Sequence, residues 1–128
     1  MDKGSKKIVF EAMLREGFIK SSLSLIYNEE TGAVNEVVLN HYKYGIIAIK
    51  DGYKDVHRWE SEDEAQKHSY LSKHYPTTLL NGPVNDSAFE EALIKAVYDE
   101  VVLSDSDDRD MFIDILKQIA AKNKIVLI

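Results

Sequence analysis

Apolar and polar residues change rhythm twice along this chain. From Lys6 to Glu16 the apolar residues Ile8, Val9, Ala12 and Met13 recur at helical spacing, with Gly17 where a left-handed C-terminal cap belongs. This predicts a short N-terminal helix over residues 6–16. Between Lys20 and Glu60 the rhythm becomes that of strands, whose successive side chains point to opposite faces. Leu23, Leu25 and Tyr27 alternate with Ser22, Ser24 and Ile26, giving a first strand. Asn28-Glu29-Glu30-Thr31-Gly32 is a polar turn with glycine where a bulge would use it. A second strand, near Ala33 to Tyr42, carries Val37, Val38 and Leu39, and Lys43 to Gly45 connect it to Ile46-Ile47-Ala48-Ile49.

Asp51-Gly52 then marks a tight hairpin, because both residues of a two-residue loop adopt positive φ. A two-residue loop also fixes the pairing. Lys50 faces Tyr53, Ile49 faces Lys54, Ala48 faces Asp55, Ile47 faces Val56 and Ile46 faces His57. Further out, Tyr44 comes opposite Trp59. The third strand is apolar on both faces, as an interior strand would be. The fourth is mostly polar and suits a sheet edge.

Past Glu60 the period lengthens again. Ser61-Glu62-Asp63-Glu64 is a capping box that starts a helix running to about His74, ended by Pro76. Asn81-Gly82-Pro83 marks a loop. Ser87 and Glu90 form a second box before a helix with Phe89, Leu93, Ala96, Val97 and Val101, while Val101-Val102-Leu103 suits helix or strand. Met111, Phe112, Ile115, Leu116, Ile119 and Ala120 make the apolar stripe of a last helix. The terminal run Ile125-Val126-Leu127-Ile128 is predicted as a short strand or as an interface, the second a route to a homodimer. The expected fold is α+β in a single domain over residues 1–128. It is a four-stranded antiparallel β-meander over about residues 20–60, packed with an N-terminal helix and about three C-terminal helices.

Composition narrows the chemistry. The 128 residues include no cysteine, which excludes disulfide frameworks, cysteine-based zinc sites and cysteine nucleophiles. No uninterrupted apolar run follows the basic N-terminus, and none approaches the roughly 20 residues that span a bilayer, so no membrane partner is expected and a cytoplasmic location is. Net charge is −6. From Asp86 to Asp110 the acids Asp86, Glu90, Glu91, Asp99, Glu100, Asp105, Asp107, Asp108 and Asp110 face only Lys95 and Arg109. That excess repels nucleic-acid phosphates and favours a basic protein as partner.

Each candidate site has a plainer alternative. Tyr53, Asp55 and His57 share one face of the fourth strand, where a carboxylate orients an imidazole as general base; no nucleophile is identifiable beside them, although Ser22 or Ser24 could reach the sheet face. On an edge strand the same spacing also arises by chance. Of the histidines, His68 and His74 lie on different helix faces, and His41 and His57 meet only if their strands are neighbours, so no metal or other cofactor is expected. Asp105 to Asp110 fails as a calcium loop, since Arg109 holds the fifth position, Asp110 the sixth and Leu116 the twelfth. Ser104 or Ser106 capping the last helix, with aspartates at the positive end of its dipole, is the structural alternative. Tyr42, Tyr44, Tyr53, Trp59, Tyr70 and Tyr75 suit interface anchors, and equally cross-strand packing.

Two functions from different classes follow. One is a non-enzymatic binding domain that uses Asp99, Glu100, Asp105, Asp107, Asp108 and Asp110 to block a basic, nucleic-acid-handling partner. Immunity proteins and phage inhibitors share that profile of composition, though no motif. The other is a small enzyme or ligand-binding domain built on Tyr53, Asp55 and His57. No catalytic motif supports the second.

Overall fold

The computed structural model describes residues 4–13, 19–50, 53–58 and 87–127, the side chains of residues 57 and 58 excepted. Five strands, β1 (Ser5–Met13), β2 (Ile19–Asn28), β3 (Val34–His41), β4 (Gly45–Lys50) and β5 (Tyr53–Arg58), form one antiparallel meander in chain order. Two helices follow, α1 (Ser87–Val102) and α2 (Arg109–Lys122). The architecture is therefore α+β, as expected, with two differences.

The first is at the N-terminus, where the expected helix is a strand. Ile8 and Phe10 are buried while Lys7, Val9 and Glu11 are exposed, a period of two. Their partners across the ladder are Leu25 and Leu23, so β1 extends an apolar surface that β2 already offers. The second concerns the helices after the sheet. Two of the three expected are present, and the one expected over 61–74 lies outside the described residues, as do Gly17, Asp51-Gly52 and Trp59. Over residues 125–127 no strand forms. Lys124 takes φ 57°, its N–H donates to Ala121 O, and Ile125 N–H donates to Ala120 O. This is a Schellman stop, which turns the chain back so that Ile125 and Leu127 pack on the core.

The β4–β5 hairpin has the register that a two-residue loop dictates, from Lys50↔Tyr53 through Ile46↔His57. One face of the sheet carries Ile8, Phe10, Leu23, Leu25, Val37, Leu39, Ile47 and Val56, which pack with α1 and α2. From α1 this core takes Phe89, Leu93, Val97 and Val101, one residue per turn along a single stripe, together with Ile94. From α2 it takes Phe112, Ile115, Leu116 and Ile119, while Met111 faces outward. Ile46, on the other face of β4, is also fully buried, so this interior strand is covered on both sides. Among the described residues no helix is long and apolar enough to cross a membrane.

Candidate functional site

The six acids singled out in the sequence gather where α1 ends and α2 begins. Asp99 and Glu100 lie in the last turn of α1, Asp105 and Asp107 in the connection, and Asp108 and Asp110 at the start of α2. The connection is tightly held: Ser104 Oγ donates to Val101 O at 2.7 Å and Arg109 N–H to Ser106 O at 3.1 Å. Ser106 Oγ accepts from Asp108 N–H at 3.2 Å, a bond within the turn. The N-cap of α2 is Asp108, and its side chain makes no capping bond. Neither serine therefore caps α2, while Asp110 in its first turn complements the helix dipole.

Among the described residues the fold neutralises one of the six. Glu100 is ion-paired with Lys20 of β2, which raises the lysine pKa above its usual value, the hydrogen bond to Glu100 being the main cause. Asp99, Asp105, Asp107 and Asp110 are exposed and have no ion pair among the described residues. Asp99 also stands at the negative end of α1, whose last turn holds no basic residue. An acid there opposes the helix dipole.

Tyr53 and Asp55 of the second candidate set share one face of β5. Tyr53 is 79% exposed and Asp55 half-buried on the sheet face away from the helices, and the side chain of His57 lies outside the described residues. Ser22 and Ser24 share that face but stand on β2, with β3 and β4 between them and β5. Three strand spacings amount to about 14 Å, too far for a hydroxyl to reach the Asp55 carboxylate. β3, which carries His41, and β5 are not neighbours in the sheet, since β4 lies between them. His68, His74, Tyr70 and Tyr75 lie outside the described residues, among which no cluster of metal-ligating side chains occurs.

Two features were not legible in the sequence. His41 is buried between Tyr42 and Tyr44, whose ring centroids lie 5.1 and 5.0 Å away, and its Nδ1 accepts from Lys43 N–H at 3.1 Å. Burial first, then the charge of Lys20, lower its pKa to about 4, so it is neutral near pH 7. Its cross-strand neighbour Ser21 is fully buried with an unpartnered hydroxyl, shut off from any substrate.

The other is a cleft of about 360 Å³ between the sheet and α2, floored by Val37, Ile49, Ile115 and Ile119. Lys54 and Lys122 stand on its wall. Lys54 Nζ lies 2.6 Å from Oε1 of the buried Glu90 and 3.3 Å from Asn123 Oδ1, so its charge is already engaged. The contact with Glu90 is an ion pair off the hydrogen-bonding line, since the same oxygen lacks a well-aligned donor. Compared with known protein families, characterised proteins and solved structures, the chain matches none of them.

Proposed function

We propose that this chain is a non-enzymatic binding domain that takes a basic protein through the acidic corner between α1 and α2. One observation carries the reading: folding uses only part of the charge placed there, Glu100 in its ion pair and Asp110 at the positive end of α2. Asp108 makes no side-chain cap, Glu100 alone of the six has an ion pair among the described residues, and Asp99 stands where the helix dipole disfavours an acid by about 0.3–1 kcal/mol. Acids that folding leaves unused produce a field at the surface, and such a field steers a cationic partner into contact. A partner whose basic surface handles nucleic acid would be blocked directly, because the aspartates occupy the place of phosphates.

The test compares the wild-type chain with the quadruple variant Asp99→Asn, Asp105→Asn, Asp107→Asn, Asp110→Asn. Wild type should capture a basic protein from a lysate of its own host, and the variant should lose it. Stopped-flow association with that protein should slow on the order of tenfold or more at low salt and converge with wild type at high salt. Equal capture by both chains, or an unchanged low-salt rate, refutes the proposal.

A further inference from the structure

We propose that two copies of this chain pair edge to edge through β1, Val9 against Val9, joining two five-stranded sheets into one. β1 ends the sheet, and among the described residues no strand lies on its outer side. The ladder with β2 tells which backbone groups face outward. Glu29 N–H donates to Gly4 O at 2.9 Å, so Gly4 and Glu29 form a hydrogen-bonded pair. Such pairs recur at every second residue of an antiparallel ladder. The backbone groups of Lys6, Ile8 and Phe10 therefore turn inward to β2, and those of Lys7, Val9 and Glu11 turn outward. An outward row of unsatisfied N–H and C=O groups is a template for another strand.

The sequence of β1 is self-complementary about Val9. In an antiparallel pair centred there, Lys7 of one copy faces Glu11 of the other, and twofold symmetry makes that contact twice. These side chains lie on the sheet face away from the helices, where Val9 is 47% exposed. On the helix-covered face Ile8 of one copy meets Phe10 of the other, and each is 7% exposed in the single chain. Sliding the register by two residues sets Lys7 opposite Val9 or Met13 and loses both ion pairs, so charge selects the register. Edge lysines commonly discourage pairing, but here each finds an acid in the second copy. The ladder irregularity at Ala12/Met13 falls outside the central stretch Lys7–Glu11. β1 carries two lysines against one glutamate, so the net negative charge of the chain is not concentrated on this edge.

The test is sedimentation equilibrium on the full chain from micromolar to millimolar concentration. Wild type should pass from monomer to dimer. Val9→Pro removes an outward N–H without touching the β1–β2 ladder, and should stay monomeric with an unchanged circular-dichroism spectrum and melt. Lys7→Glu and Glu11→Lys should each weaken the dimer on the order of tenfold, because two attractive pairs become repulsive. The double variant Lys7→Glu/Glu11→Lys should return to near the wild-type constant. The charge-swap series decides the matter even if Val9→Pro misfolds. A wild-type monomer at every concentration overturns the proposal, as does a dimer that survives Val9→Pro or a double variant no better than the singles.

Discussion

Acid should destabilise this protein through one buried imidazole. His41 is 5% exposed, and burial together with Lys20 and Lys43 lowers its pKa to about 4, with Glu100 pulling the other way. In the unfolded chain the same group titrates near 6.5. Between those values the unfolded state binds the proton and the native state does not, so stability falls as pH falls. The contribution is complete above pH ~6.5 and shrinks by about 1.4 kcal/mol per pH unit below it, so that about 3 kcal/mol is lost by pH ~4. A loss of that size is a large share of the stability of a small domain.

The comparison that isolates it is His41→Asn, whose amide oxygen takes over the bond from Lys43 N–H but does not titrate in this range. Urea or guanidinium unfolding from pH ~7 to pH ~4 should show wild type losing about 3 kcal/mol more than the variant, at similar m-values. The carboxylates are common to both chains and cancel in the difference. Parallel stability curves, or an NMR titration placing His41 near 6.5, would refute the reasoning.

Two further predictions concern single positions. Lys54→Met strips the counter-ion from the buried Glu90 and should cost about 1–3 kcal/mol, most of it recovered in Lys54→Met/Glu90→Leu; a double-mutant cycle in denaturant measures the coupling, and additive losses count against the pair. Gly32 holds φ 75° in the β2–β3 turn, where its N–H donates to Asn28 O at 2.8 Å, so Gly32→Ala should lower stability by about 1 kcal/mol although open space surrounds the site. An unchanged melt for Gly32→Ala would show that the turn relaxes without strain.

What could be read from the sequence followed the range of the forces involved. The β4–β5 register was legible because a two-residue loop sets every pair by counting outward, with no tertiary information. β4 was legible as an interior strand because Ile46 and Ile47, adjacent in sequence, must face opposite sides. β1 was not legible as a strand. Ile8, Val9, Ala12 and Met13 satisfy a helical period, while Ile8, Phe10 and Ala12 satisfy a period of two, and nine residues do not separate the two readings. The choice falls to the neighbour, since Leu23 and Leu25 offer β1 a ladder and a face to extend. At the other end, four apolar residues suggested a strand or an interface. Over residues 125–127 the local stop at Lys124 takes the place of the strand, and Ile125 returns to the core of its own chain.

The acidic corner was legible as composition but not as a field. In the sequence Glu90 and Glu100 look no different from Asp99 or Asp105. Folding brings Lys54 from the far edge of the sheet to Glu90 and Lys20 from β2 to Glu100, and both carboxylates leave the surface balance. Counting acids along the chain therefore overstates the charge on α1 and understates its concentration. What remains exposed, Asp99, Asp105, Asp107 and Asp110, lies within one turn and the helix ends beside it. Within about a Debye length such charges act together on a partner, whereas the same number spread along two helices would be screened from one another. The corner's claim to function rests on that concentration.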